Sequence, residues 1–293
     1  KVLAIVALIL TGAVLLLLGT KVEGRPVSLL NLVSHGGFFP TGVWGFFMSF
    51  QMVVFAFVGV EIVGLTAGET ADPEKDIPKA INTLPVRIGL FYVGSMLAIM
   101  SVYPWDQIKT SSSPFVQVFG AIGITGAAGI LNFVVLTAAM SATNSAIFST
   151  SRSLYSLARG GNAPKRLGEL SNKAVPNNAL TTSSLILFVI VILNYLMPAK
   201  IFDIVSTVST INFVVVWIII MWAHIKYRQK NKDNLGSFRM PGYPLTSWIT
   251  IVFYFAVLVI LFFIPSTRLP LILSAVFIAI LWGIYGFVEK HKA

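Results

Sequence analysis

Cysteine is absent from this sequence, and histidine occurs only three times in 293 residues. The first absence excludes disulfides and thiolate metal sites. The second leaves His35, His224 and His291 too scattered along the chain to suggest a metal cluster. Charge is scarce as well: 11% of residues are charged and only eleven are acidic, where an ordinary soluble domain carries about 25% charged residues. The chain has no G-x-x-x-x-G-K-S/T loop of the kind that cradles nucleotide phosphates, so ATP drive within it is not expected and no cofactor is implied.

What fills the chain instead is apolar. Hydrophobic residues make up 56% of it, and the mean hydropathy is +0.84. A helix needs about 20 apolar residues to cross a hydrocarbon core roughly 30 Å thick. Runs of that order recur throughout, at 2–19, 43–67, 86–104, 118–149, 180–197, 201–223, 247–264 and 269–287. The expected fold is therefore an all-α polytopic membrane protein with about eight transmembrane helices in a single transmembrane domain, 1–293, embedded in a lipid bilayer. The opening run, KVLAIVALILTGAVLLLLG, is too long for a signal sequence and lacks a convincing small-residue cleavage site. It reads as a membrane span of a longer chain.

The net charge of +10 raises the question of a nucleic-acid partner, but the basic residues lie between the apolar runs, which makes them topology signals. With alternating spans, the segments after the second, fourth, sixth and eighth runs, counting Arg87 at the very start of the third run, hold fifteen Lys and Arg, against five in the segments on the opposite side. The first set is expected in the cytoplasm, together with the C-terminus, in a cytoplasmic membrane. Between runs two and three, Asp72-Pro73 marks a turn, and Asp76 before Pro78 predicts a short cytoplasmic helix leading into the third span.

Two runs are irregular. SFQMVVFAFVGVEIVGLTAGE contains Gly59, Gly64 and Gly68 and the carboxylate of Glu61. Each glycine costs a helix about 1 kcal/mol relative to alanine, and a carboxylate at membrane depth costs at least about 2.5 kcal/mol. Two readings are open on the residues alone. In one, the helix breaks around Phe55 to Glu61 and frees backbone N–H and C=O groups to meet the carboxylate and ammonium of a zwitterion. In the other, the glycines form a packing interface in which Glu61 is hydrogen-bonded. Glu61 and Glu69 would stand about 12 Å apart along an unbroken helix and within roughly 80° in rotation. A carboxylate taken out of water gains affinity for a proton, the minimum equipment for proton coupling; Glu69 is equally read as a helix-end carboxylate in water. The fourth run ends in small and hydroxyl residues. Its Ser141, Thr143, Asn144 and Ser145 fall within about one helical turn and suit either a polar cavity or close helix packing.

FAFVGVEIVGLTAGETADPEKDIPKAI, then GITGAAGILNFVVLTAAMSATNSAIFSTSRSLYSLAR, then VPNNAL give the sequence a specific likeness. Over its whole length it resembles the bacterial amino acid permeases of the amino acid, polyamine and organocation superfamily, and within them most the D-serine/D-alanine/glycine permeases. The resemblance implies a leucine-transporter arrangement of two inverted five-helix repeats plus two further helices. The eight runs are similar to the fifth to twelfth of twelve family helices, with the glycine-rich first helix that supplies half of the substrate site outside this chain. It further implies that Phe55 gates the substrate, that Ala56, Gly59 and Val60 contact it, and that Glu61 is the coupling carboxylate. Lys1 would stand where sodium-coupled relatives hold a sodium ion, in the same half of the membrane as Glu69; a flanking interfacial lysine is the alternative. The implied activity is proton-coupled symport of a small neutral amino acid by alternating access. The other readings are an exchanger, a sodium-coupled carrier, a channel or a membrane-embedded enzyme, and the last would want paired carboxylates or a nearby His/Asp pair, which the linear sequence lacks.

The topology is testable because no native cysteine competes for label. In a Lys165→Cys variant of the full-length protein, an impermeant maleimide applied to intact cells is expected to leave the thiol unlabelled until the membrane is opened. Labelling from outside would invert the orientation.

Overall fold

The computed structural model describes residues 2–65, 67–108, 113–124, 126–231 and 238–290. It is almost wholly helical. In chain order the helices are α1 (Val2–Leu17), α2 (Gly42–Met48), α3 (Phe50–Ala56), α4 (Ile62–Leu65), α5 (Pro73–Ile88), α6 (Gly94–Val102), α7 (Pro114–Ala121) and α8 (Ala127–Arg159), followed by α9 (Asn177–Leu196), α10 (Pro198–Lys230), α11 (Leu245–Phe263) and α12 (Arg268–Lys290). Six stretches are long and apolar enough to cross a membrane, namely Pro73–Val102, Ala128–Arg159, Asn177–Leu196, Ile201–Lys230, Leu245–Phe263 and Pro265–Gly286, and two shorter apolar ones are Val2–Leu17 and Gly42–Ala56. Each of the eight expected runs thus contains helix, in a multi-pass membrane protein.

Their boundaries differ from the sequence reading in three places. The expected short helix before span three does not stand alone. Asp72 caps it by accepting the Lys75 N–H at 3.3 Å, and Pro73 takes the first helical position, where its missing N–H costs nothing. From there the helix continues past Pro78 and Pro85, through a five-residue π segment at Gly89–Val93, into α6. A π segment widens the ladder by one residue per turn and lets the helix absorb such interruptions. The expected run 118–149 is two helices. Gly123, at φ +86°, ends α7 in a pair of reversed bonds, Ile124 N–H to Phe119 O and Gly123 N–H to Gly120 O, and α8 starts afresh at Ala127. The second run is broken within, as described below.

The residues group into two compact units. The first comprises Lys1–Gly45 with Val63–Ala146, the second Phe46–Ile62 with Ile147–Ala293.

In the first unit α1 packs on α6. A Cβ added to Gly12 would fall 2.6 Å from the Ala98 Cβ and 2.9 Å from its Cα, so the two backbones approach as closely as small residues permit. Leu8, Ala98, Ile99 and Val102 are buried with Val118 and Phe119 of α7. After α1 the chain turns through a two-residue hairpin, β1 (Lys21–Val22) and β2 (Arg25–Pro26), whose central Glu23 and Gly24 both have positive φ, the form that matches strand twist. The connection that follows is fastened to the end of α6. Ser28 N–H and the Asn31 side-chain amide both donate to Ser101 O, at 3.0 and 2.8 Å.

In the second unit α10 is central, packing against α3, α9, α11 and α12. Its buried face presents Ile211, Val214 and Trp217 to Val54, Val257, Leu261 and Ile264. The same helix buries Ser206, Thr207 and Thr210. Asn212 donates to Val208 O at 2.8 Å and reaches the buried Ser274 of α12 at 3.4 Å. A polar group inside a membrane bundle is tolerated only with such partners.

Gly12→Val is expected to force α1 from α6 and to destabilise the folded protein by about 1–3 kcal/mol. The check is the melting temperature of the purified full-length protein. A melting point equal to that of the wild type would contradict the close approach.

Candidate functional site

The second apolar run does not cross as one helix. α3 ends at Ala56, residues 57–61 form a tight turn, and α4 begins at Ile62. Through this turn the regular ladder is replaced by shorter bonds, each donated by an N–H to the carbonyl three residues back: Phe57 to Val54, Val58 to Phe55, Val60 to Phe57 and Ile62 to Gly59, at 3.0 to 3.3 Å. Gly59 has φ +103°, a conformation that a side-chain-bearing residue adopts only under strain. The glycine is required by backbone angle and not by space, since an added Cβ would meet only the Ile62 Cδ1 at 3.7 Å.

Glu61 closes the turn on itself. Its two carboxylate oxygens accept the Gly59 N–H at 3.1 and 3.2 Å, and Oε2 also accepts the Trp217 indole N–H of α10 at 3.3 Å. Hydrogen bonds to an ionised acceptor are about twice as strong as neutral ones. Trp217 is buried, and its ring lies 5.3 Å from that of Tyr254 on α11 and 6.2 Å from Phe213. A buried indole needs an acceptor for its N–H, and Glu61 supplies it. On the other side of the turn, the Gln51 side-chain amide of α3 donates to Thr207 Oγ1 of α10 at 2.7 Å.

The sequence-derived candidates divide accordingly. Phe55, Ala56, Gly59, Val60 and Glu61 lie together at the break, all half-buried. Both alternatives weighed for this run are partly realised: the helix is broken, and Glu61 is hydrogen-bonded within the bundle. Glu69 ends a 3-10 turn, Ala67–Glu69, after α4. The ideal helical rotation between Glu61 and Glu69 therefore does not carry over, and the Glu69 side chain lies outside those described. Lys1 lies outside the described residues. Ser141, Thr143, Asn144 and Ser145 belong to the first unit, where all four are exposed on α8 and Ser145 Oγ donates to Ser141 O at 3.0 Å. That bond is the back-bonding habit of a hydroxyl on a helix and neither requires nor excludes a ligand.

Four residues at the break were not singled out from the sequence: Gln51, Thr207, Trp217 and Tyr254. A tryptophan inside an otherwise aliphatic run is the one local signal, because its N–H must find a partner in the bundle. A His/Asp pair absent from the linear sequence also appears. His35 Nδ1 and Asp106 Oδ2 are 3.0 Å apart, both partly exposed, while Trp105 Nε1 donates to His35 O at 2.8 Å. Seventy-one positions separate the two residues, which hid the pair; it fastens the connection after α1 to the segment after α6.

A family model described as "Amino acid permease" matches residues 1–293, and the chain belongs to that family. It is 52% identical over 296 residues to "Amino-acid permease AapA" of Bacillus subtilis (strain 168) and 51% identical over 294 residues to "Uncharacterized transporter YdgF" of the same organism, in each case with all of this chain aligned to 64% of the relative. It is 43% identical over 300 residues to the "D-serine/D-alanine/glycine transporter" of Escherichia coli (strain K12), with all of the chain aligned to 63% of that protein. The chain thus spans a little under two-thirds of the length of these relatives. They are named as permeases and transporters, not as enzymes.

Replacing Gly59 with leucine is expected to abolish labelled amino acid uptake by the full-length protein while leaving its amount in the membrane unchanged, because a side-chain-bearing residue strains the backbone angle on which the turn depends. Normal uptake by Gly59→Leu at wild-type abundance would remove the turn from the transport path.

Proposed function

We propose that the complete protein carries a small neutral amino acid across the cytoplasmic membrane together with a proton, by alternating access, with its C-terminus in the cytoplasm. The observation that carries this reading is the helix break at 57–61 with a carboxylate bonded inside it. Lipid cannot satisfy backbone polar groups, so irregular backbone at membrane depth belongs against protein or a cavity. In carriers, such breaks present amides to a carboxylate and carbonyls to an ammonium.

Phe55 gates the substrate in this account, while Ala56, Gly59 and Val60 offer it backbone. Substrates of the size of glycine, alanine or serine, including D-isomers, are the first choice, in keeping with the naming of the Escherichia coli relative. Glu61 is the proton acceptor. Ionised, it holds the Gly59 N–H and the Trp217 indole; protonated, it gives up its charge and weakens both bonds. Glu69 and Lys1 act in the same coupling path, and no metal ion or cofactor takes part.

Counterflow in liposomes containing the full-length protein tests the carrier reading. Labelled alanine, glycine or serine is expected to enter transiently against its gradient when unlabelled substrate is trapped inside, as no channel or enzyme would allow. Failure with every amino acid tried would overturn it. Glu61→Gln separates the coupling: the variant is expected to lose proton-driven accumulation and keep exchange at equal pH. Accumulation as strong as in the wild type and insensitive to a protonophore would point to a sodium-coupled carrier or an exchanger.

A further inference from the structure

Two side-chain bonds join the broken span to α10, and they share one number. Gln51 meets Thr207, and Glu61 meets Trp217; each pair is 156 positions apart. A constant offset means that the two segments run parallel and in register. The stretch from Gln51 to Glu61 is matched, end for end, by the stretch from Thr207 to Trp217, which lies inside the continuous helix α10. Ten helical residues measure about 15 Å. The bonds therefore bracket the turn at 57–61, one before it and one at its close, against an unbroken rod.

We propose that α10 splints the break, with Thr207 and Trp217 as positioning residues that hold the substrate-facing backbone in its unwound form. The inference rests on the transport function proposed above and adds to it a fixed end and a releasable end. At the fixed end, the Gln51 amide and the Thr207 hydroxyl are both neutral, and Thr207 is buried, so this bond is the same in every protonation state. At the releasable end the acceptor is a carboxylate that also holds the Gly59 N–H. The groups facing Glu61 from the helices packed there are the Trp217 indole of α10, which donates and does not titrate, and the Tyr254 phenol of α11, stacked behind it. Protonation of Glu61 loosens the second tie and leaves the first in place. The turn then loses that tie while α3 stays seated on α10.

The surroundings suit such a division. α3 is further fixed by Val54, buried in the same cluster as Val214 and Val257, and by Phe50 against Phe253 of α11, with ring centres 5.6 Å apart. Phe57, Val58 and Val60 of the turn also pack against that cluster, and Trp217, a member of it, adds one hydrogen bond to the turn at 3.3 Å.

The test uses four variants of the full-length protein: Thr207→Val, which keeps shape and removes the hydroxyl; Thr207→Ser, which restores it; Trp217→Phe, which keeps the aromatic packing and removes the donor; and Trp222→Phe, a control on the same helix. Thr207→Val and Trp217→Phe are expected to raise the KM for amino acid uptake on the order of tenfold, the loss of one buried hydrogen bond, with smaller changes in maximal rate. Thr207→Ser and the control are expected to stay near wild type. The dependence of KM on external pH should flatten in Trp217→Phe and keep its form in Thr207→Val. Hydrogen exchange of the purified proteins provides a readout independent of transport: amides 57–61 should exchange faster in both Thr207→Val and Trp217→Phe. Unchanged KM, pH profile and exchange in these two variants would overturn the splint while leaving the carrier function standing. Absence of uptake by the wild type would overturn the carrier function, and the exchange rates would still decide whether α10 holds the turn.

Discussion

A backbone N–H at membrane depth must be satisfied by protein, because the hydrocarbon around it accepts no hydrogen bond. The rest of the structure depends on how this is met at Gly59. The turn at 57–61 cannot extend the ladder of α3, and the Gly59 N–H is taken instead by the side chain of Glu61, two residues on. That choice brings a carboxylate into the bundle, which itself needs a donor, and the donor is a buried tryptophan on a different helix. A chain of requirements thus links one glycine conformation to the packing of α10 and α11. Leucine at position 59 would strain the backbone angle, and alanine at position 61 would remove the acceptor of the Gly59 N–H and the Trp217 indole.

The two units use their irregularities differently. In the second, α10 is continuous over 33 residues and carries the buried hydroxyls and the tryptophan on which the broken span rests. In the first, α1 and α6 meet through Gly12 and Ala98, and the connections beyond them are held by Ser28, Asn31 and the His35–Asp106 pair. The chain as a whole belongs to the amino acid permease family.

Much of this was legible in the sequence, and the exceptions have physical reasons. Runs of apolar residues announce helices in lipid because the bilayer sets their length, and six stretches long enough to cross, with two shorter apolar ones, fall in those runs. Gly59 and Glu61 marked this run as irregular because both are costly in a plain anchor, with a break and a packing interface equally open. Hydropathy began the third run at residue 86 while the helix begins at Pro73: the scale counts Pro78, Arg87 and the charges near Asp72 against it, whereas a capped helix carries them. It merged α7 with α8 because Gly120, Gly123 and Gly126 are nearly neutral on such a scale, while the backbone angle of Gly123 is decisive. Trp217 and Thr207 were missed because their role is pairwise. A run scores a tryptophan as one more large residue, and only the parallel register of α10 with the broken span gives it a partner.

The central claim is that the backbone at 55–61 receives the amino acid. A structure of the full-length protein with a bound small amino acid tests it most directly. The account predicts the zwitterion against this turn, with backbone N–H or C=O groups of residues 55–61 within about 3 Å of its carboxylate or ammonium and Glu61 still beside Trp217 in the deprotonated state. A ligand bound elsewhere, with residues 50–68 wound into one unbroken α-helix, would contradict it.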